Sequence, residues 1–328
     1  MRFLVTGSAG FIGFHLCRRL IALGHFVDGL DGMTDYYDPA LKRARHGVLA
    51  QSNLFRAHEM MLEDMDALTG VVREAQPDIV VHLAAQAGVR YSMEAPRSYV
   101  SANLIGTFNL LEALRAAPVQ HLLLASTSSV YGANAMPFAE ADRTDHPLSF
   151  YAATKKATEA MAHSYAHLYA LPVTVLRFFT VYGPWGRPDM ALFKFTRNIL
   201  AGEPIDIYNA GQMQRDFTYV DDAVEGMVRL AGLTPAASND PAGSVAAPYR
   251  VVNIAGGAPI ELDAYICAIE AATGRRAIRN DLPMPIGEPQ STLANTAELE
   301  RLTGFRPRTP VDVGVRAFVD WYRDFYAV

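Results

Sequence analysis

The stretch 2-RFLVTGSAGFIGFHLCRRLIALG-24 decides the fold. It opens as an apolar run of strand type, breaks at 7-GSAGFIG-13, and continues with apolar residues at helical spacing. Strand, glycine turn and helix in that order leave backbone N–H groups at a helix N-terminus, where they attract negative charge. Gly7, Gly10 and Gly13 recur every third residue. This departs from the commonest dinucleotide-binding spacing but keeps its physics, a backbone that a pyrophosphate can approach closely. Taken alone, the turn also fits a purely structural role. Asp31 ends the next strand-like run, 18 residues after Gly13, where a carboxylate can accept hydrogen bonds from an adenosine ribose. An isolated Asp there would fit a turn or cap equally well; beside the glycine turn it predicts ribose binding. A carboxylate repels a 2′-phosphate, so NAD is expected rather than NADP.

Outward from this stretch, strand-like runs 25-HFVDGLD-31, 78-DIVVHLAA-85, 120-QHLLLAST-127 and 173-VTVLRF-178 alternate with helical patterns such as 103-NLIGTFNLLEALRAA-117. Near-continuous apolar strands separated by helices predict a parallel sheet covered on both faces. The expected organisation is α/β, with a doubly wound domain over residues 1–177 to which segments from about 222–254 return. Residues 178–328 form mainly a smaller α/β substrate-binding domain, punctuated by 183-GPWGRPD-189 and 283-PMPIGEPQ-290. Residues 234–248 carry few large apolar side chains and read as an exposed loop.

The 328 residues are 50% hydrophobic, enough for a sizeable core. The net charge is −5 and the 29 basic residues are scattered, so no nucleic acid is expected as a partner. No 18-residue apolar stretch and no signal-peptide pattern occur, so no membrane partner is expected and the location expected is the cytoplasm. Cys17 and Cys267, the two cysteines, lie in helix-like patterns and are expected to be buried and structural. No HExxH, HxxEH or CxxC cluster exists, so no metal site is expected. His163 and His167 are four apart on one helix, but without a third ligand they read as a face in solvent or at a subunit contact.

In 148-LSFYAATKKATEA-160, Tyr151 and Lys155 stand four residues apart on one helix face. An ammonium beside a phenol stabilises the phenolate and draws its pKa down from about 10, as a general acid/base requires. A bare YxxxK is also an ordinary surface pair. Its context is 126-STSSVYG-132, which follows a strand and supplies hydroxyls 24 residues before Tyr151, together with the N-terminal glycine turn. These three features in this order resemble the extended short-chain dehydrogenase/reductase family, over essentially the whole chain. The runs 177-RFFTVYGPWGRPDMA-191, 151-YAATKKATEAMAHSYAHLY-169 and 215-RDFTYVDD-222 are similar, within it, to the UDP-glucuronate 4-epimerases.

The resemblance implies a Rossmann-type fold and a tightly held NAD, regenerated in each cycle. It implies C4 inversion of a UDP-uronic acid through a 4-keto intermediate, and a homodimer. Thr127, Tyr151 and Lys155 match the catalytic triad of that family. Cofactor contacts are implied for Gly7, Gly10, Phe11, Ile12, Gly13, Asp31, Met61, Leu62, Ala84, Ala85, Gln86, Asn103, Ser126, Tyr151, Lys155 and Phe178. Substrate contacts are implied for Arg90, Thr127, Ser128, Ser129, Thr180, Arg187, Met190, Arg215 and Glu288. Ser, Thr and Arg in such loops also commonly bond backbone or form surface ion pairs. Asp221 and Asp222 are expected to cap the helix that follows them.

Some positions depart from the family pattern. Met61-Leu62 stand where an Asp-Leu or Asp-Ile pair reads adenine, Gly32 follows the ribose Asp in place of Asn, and 287-GEPQSTLAN-295 is a modified uridine-side motif with Ser291 where a larger residue is common. Ser128 and Ser129 occupy the segment where related decarboxylases and dehydratases carry an acid, which favours epimerisation. Two alternatives remain open at this point, a neutral-sugar epimerase of the UDP-glucose type and a non-catalytic regulator that binds NAD or a nucleotide sugar.

Overall fold

The computed structural model describes residues 1–237, 246–284 and 289–328. They separate into two units. The first comprises Met1–Gly132, Arg143–Arg177 and Met227–Val252, and the second Ala133–Asp142, Phe178–Gly226 and Asn253–Val328.

Along the chain, β1 (Arg2–Thr6), α1 (Phe11–Ala22), β2 (Phe26–Asp31), α2 (Pro39–Leu49), β3 (Phe55–Glu59), α3 (Met65–Ala75) and β4 (Ile79–His82) alternate regularly. Short α4 (Tyr91–Glu94) and α5 (Pro96–Tyr99) lead through a π-helical turn at Val100–Ile105 into α6 (Gly106–Ala116). Then come β5 (His121–Thr127), α7 (Phe150–Tyr169) and β6 (Val173–Phe178). The next elements are β7 (Thr180–Tyr182), α8 (Ala191–Ala201), β8 (Pro204–Tyr208), β9 (Gln214–Tyr219), α9 (Val220–Ala231) and β10 (Tyr249–Ile254). The chain ends with β11 (Pro259–Glu261), α10 (Leu262–Thr273), β12 (Ile278–Leu282), α11 (Ala297–Thr303) and α12 (Val311–Tyr326).

The main sheet has the order β10-β6-β5-β4-β1-β2-β3. β1 pairs in parallel with both β2 and β4, so the strand order reverses at β1 and β4. That reversal opens a crevice beyond the carboxyl ends of the two strands, where Thr6 lies opposite His82. Leu4, Val80, Leu122 and Leu124 are fully buried, as central strands covered on both faces require. β3 is different. Its residues FRAHE are mostly exposed at the sheet edge, so it lacks the apolar run that marks the inner strands.

In the second unit β11-β9-β7 form one sheet and β12-β8 another. Its core is aromatic, with Phe217 stacked on Tyr265 at a 4.0 Å centroid distance and Phe193, Phe318 and Tyr322 packed nearby. Ala133–Asp142 belongs here because Phe138 exchanges backbone hydrogen bonds with Leu293 (2.8 Å) and Asn295 (2.9 Å). Such non-local pairing leaves no mark on the local sequence.

Three expectations need correction or limits. Cys267 is exposed, although Cys17 is buried. α9 begins at Val220, so Asp221 and Asp222 lie inside its first turn; Asp222 accepts hydrogen bonds from the backbone of Arg308 (3.1 Å) and Thr309 (2.8 Å) rather than capping its own helix. Residues 238–245 of the expected loop lie outside the described residues. Among the described residues no helix is long and apolar enough to cross a membrane.

Candidate active site

The glycine turn is shaped by close backbone approach. Gly7 has φ +73°, and a Cβ there would sit 2.7 Å from the Ala84 nitrogen; at Gly13 a Cβ would sit 2.1 Å from the Gly7 carbonyl oxygen. Side chains are excluded, so β1, the turn and α1 pack backbone to backbone. The N-cap of α1 is Gly10, with no side-chain cap, whereas Asp38 caps α2 and Asp64 caps α3. The first N–H groups of α1, at Phe11, Ile12 and Gly13, therefore have no acceptor within the helix and suit a diphosphate.

Asp31 is buried, and its two carboxylate oxygens accept from the Ala9 nitrogen (3.0 Å) and the Met33 nitrogen (2.9 Å). A carboxylate has further lone pairs, so this grip orients Asp31 and leaves capacity for ribose hydroxyls. Met61 is exposed and Leu62 buried, with Leu62 in the core cluster of the first unit. Neither side chain offers an acceptor, so any polar contact to adenine there falls to backbone.

Ser149 caps α7 by accepting from the Ala152 nitrogen at 3.2 Å, which fixes Tyr151 in the first turn. The Tyr151 ring meets Tyr99 edge-on at 6.0 Å. Lys155, one turn on, is 3% exposed. Burial draws its ammonium down to about 8, with the charge of Glu159 working in the opposite direction. Thr127 closes β5; its Oγ1 accepts from the Ser129 nitrogen and donates to the Ser129 hydroxyl, both at 3.2 Å. Thr127, Tyr151 and Lys155 all belong to the first unit, as do Ser128 and Ser129.

The turn after β4 is tied to this helix. Gln86 N donates to Asn103 Oδ1 (2.8 Å), and Asn103 Nδ2 donates to the Gln86 carbonyl (3.1 Å) and to Thr154 Oγ1 (3.0 Å). Thr154 in turn donates to the Tyr151 carbonyl at 2.8 Å. Both amide protons of Asn103 are thus spent on protein, and its π-helical turn serves to register Ala84–Gln86 against Tyr151. Beneath lies His82, bonded on both ring nitrogens to Thr6 (2.7 Å) and Thr107 (3.0 Å). Burial first, and the Lys155 charge second, hold it down to about 3, so it is neutral.

Phe178, Thr180, Arg187, Met190 and Arg215 belong to the second unit. Phe178 is buried and Met190 is the N-cap of α8. Arg187 is paired with Asp189, Nε to Oδ1 at 3.0 Å and Nη2 to Oδ2 at 2.5 Å. Arg215 Nη1 donates to the carbonyls of Gln214 and Gln290, each at 2.9 Å. Its neighbour Asp216 is fully buried and accepts from the backbone of Gly256 (2.8 Å), Gly257 (3.1 Å) and Ala294 (3.0 Å). Burial pushes the Asp216 carboxyl up to about 6 against the pull of those N–H groups. Glu288 lies outside the described residues. Arg90 caps α4, and its carbonyl accepts from the Met93 nitrogen.

Ser126 has a partner on α7. Its hydroxyl donates to Glu159 at 2.6 Å. Glu159, Arg177, Thr154 and His82 are polar groups that sequence reading passed over. For Glu159 a signal existed, since Tyr151, Lys155 and Glu159 form one i, i+4, i+8 stripe. His163 packs edge-on to Tyr249 at 5.0 Å, and no group of three or more metal-ligating residues occurs among the described residues.

Residues 3–241 match the NAD dependent epimerase/dehydratase family. The chain is 57% identical over 334 residues to a probable UDP-glucuronate 4-epimerase of Rhizobium meliloti (strain 1021), covering 99% of this chain and 98% of that protein. It is 46% identical over 332 residues to UDP-glucuronate 4-epimerase 1 of Arabidopsis thaliana, covering 98% of this chain and 77% of that protein. It also resembles the crystal structure of UDP-glucuronic acid 4-epimerase from Bacillus cereus in complex with UDP-glucuronic acid and NAD, with TM-score 0.90 and 33% identity over 99% of this chain and 100% of that one.

The Gly13 geometry carries a direct test. Gly13→Ala should displace the turn and weaken NAD binding by about tenfold or more in Kd, roughly 1.4 kcal/mol, read by titrating NAD into protein stripped of nucleotide.

Proposed function

The chain belongs to the NAD dependent epimerase/dehydratase family, and on that premise we propose that it interconverts UDP-glucuronate and UDP-galacturonate by NAD-dependent inversion at C4, without decarboxylation. The observation that carries this reading is the desolvated Lys155 one turn beyond Tyr151, in the same unit as the Thr127 hydroxyl and the side-chain-free glycine turn.

NAD, when bound, would be held by the glycine turn and Asp31 and would supply hydride acceptance and return at C4. Tyr151, as phenolate, accepts the proton of the C4 hydroxyl and gives it back after the sugar has turned over. The Lys155 ammonium stabilises that phenolate, most strongly because it is shielded from water. Thr127 Oγ1 hydrogen-bonds the C4 oxygen and guides the proton. A 4-keto uronate is a β-keto acid, so its carboxylate must be held in an orientation that disfavours C–C cleavage. We assign that grip to the hydroxyls of Thr127, Ser128, Ser129 and Thr180 and to the guanidinium of Arg187, whose pairing with Asp189 fixes its plane. Arg215 is assigned to the diphosphate, with Asp216 holding its strand to the 256–257 and 294 backbone. Neither Ser128 nor Ser129 can act as the carboxylic acid that a rival elimination chemistry would use.

Cytoplasmic location and a homodimer complete the proposal. The helices of the first unit expose the apolar side chains Met93, Val100, Ile105, Phe108, Leu168 and Tyr169, which a second copy would cover. Light scattering should report twice the 35.9 kDa chain mass, and Phe108→Glu should shift the protein toward monomer.

Purified protein given UDP-glucuronate without added NAD should yield UDP-galacturonate. Tyr151→Phe should keep its bound NAD yet lose turnover by about 10²–10⁴-fold; full activity in that variant would sink the mechanism. Arg187→Ala should depress uronate turnover more than neutral-sugar turnover, or release a UDP-pentose. An unchanged product profile removes Arg187 from the carboxylate grip.

A further inference from the structure

Below the catalytic stripe of α7 lies a buried ion pair that the proton relay does not use. Glu159 is 1% exposed and Arg177, on β6, is 3% exposed. They meet in a bidentate pair, Arg177 Nε to Oε1 and Nη2 to Oε2, both at 2.9 Å. Oε1 also accepts the Ser126 hydroxyl at 2.6 Å, and Lys156 approaches Oε2 at 3.4 Å. The Arg177 guanidinium lies over the Tyr131 ring at 4.7 Å, and the Tyr249 hydroxyl on β10 reaches the Glu159 carbonyl at 3.4 Å. Burial alone would push the Glu159 carboxyl up, but the bonds from Arg177 and Ser126 outweigh it and hold it below the usual range.

Replacing such a pair with apolar side chains is often neutral or stabilising, so stability alone does not account for an ionised carboxylate at this place. Its surroundings suggest a different use. Ser126 directly precedes Thr127, and Lys155 is one helical turn before Glu159 on the face that carries Tyr151. We propose that Glu159 is a positioning residue for the epimerisation: clamped by Arg177 and Ser126, it keeps Lys155 in its ammonium form and holds the Thr127 end of β5 in register with Tyr151.

The charges that face Lys155 fit this assignment. Glu159 is the one that favours the ammonium, while His82 faces it from β4 as a neutral ring. Around Glu159 itself the charged and titratable groups are Arg177, Lys156, Tyr131 and Tyr249, with His163 edge-on to Tyr249. Without the Glu159 anion, burial works on Lys155 unopposed and Arg177 is left as an uncompensated cation nearby. The ammonium is then lost at lower pH, and the phenolate of Tyr151 loses its counter-charge with it.

The inference rests on the epimerase reading for its catalytic meaning, and one readout is independent of turnover. The chain has four lysines, Lys42, Lys155, Lys156 and Lys194, so the ¹³Cε resonance of Lys155 can be assigned with Lys155→Arg and titrated in the NAD-bound protein. In Glu159→Gln its midpoint should fall by about one pH unit, the size of a charge one turn away at intermediate dielectric. The alkaline limb of kcat should move by the same amount toward neutrality, with KM for UDP-glucuronate unchanged and with recovery in Glu159→Asp. Should the single variant fail to fold, the double variant Glu159→Gln/Arg177→Met, which leaves no unpaired buried cation, is titrated in its place, with a smaller fall expected because the anion one turn away is lost together with its paired cation. A Lys155 midpoint equal to wild type in a folded variant overturns the inference. A wild-type protein that does not convert UDP-glucuronate overturns the epimerase reading separately, and the titration still decides whether Glu159 sets the charge of Lys155.

Discussion

The absence of side-chain volume where β1 turns into α1 governs the rest of the molecule. Gly7 faces the backbone after β4 and Gly13 faces the carbonyl of Gly7, at separations no Cβ could occupy. That contact brings the helix N-terminus to the point where the strand order reverses, so α1 presents uncapped N–H groups at the crevice between β1 and β4. The Thr6–His82–Thr107 chain then locks the two central strands beneath it, with Thr6 Oγ1 also accepting from the Ala84 nitrogen at 3.2 Å. Dinucleotide binding and sheet assembly are two consequences of one steric constraint.

Charge placement follows a second rule, that an ion taken out of water must be held by partners. Lys155 is almost wholly buried, so its charge depends on what stands near it. Asp31, Glu159 and Asp216 are each buried and each surrounded by donors, from the 9 and 33 backbone, from Arg177 and Ser126, and from the 256–257 and 294 backbone. Each therefore orders a segment that carries functional residues. Asp31 orders the glycine turn and the turn after β2, Glu159 the end of β5, and Asp216 the strand bearing Arg215.

A uronate epimerase must also suppress a reaction its own intermediate favours. Hydroxyl groups serve that purpose better than carboxylates, since they hold an anionic substrate without repelling it and without supplying a general acid at the wrong carbon. Ser128 and Ser129, as assigned in the proposed function, would meet that requirement. In the proposed grip, the Arg187–Asp189 pair would add a cation whose plane Asp189 already fixes.

Sequence by itself determined the features whose physics is local. The glycine turn, the apolar inner strands and the Tyr151–Lys155 spacing all act within a few residues and are legible there. Edge strand β3 was not legible because solvent relaxes the demand for apolar residues. Only the tertiary structure decided the partners that arrive from distant segments: Ala133–Asp142 joining the second unit through Phe138, Asp222 clamping residues 308 and 309, Cys267 facing solvent, and Ser126 turning to Glu159. Apart from Cys267, those outcomes depend on which donor meets which acceptor across 33 positions of chain (Ser126–Glu159) to 157 (Phe138–Asn295), and hydrogen-bond satisfaction over such separations leaves no periodicity to read.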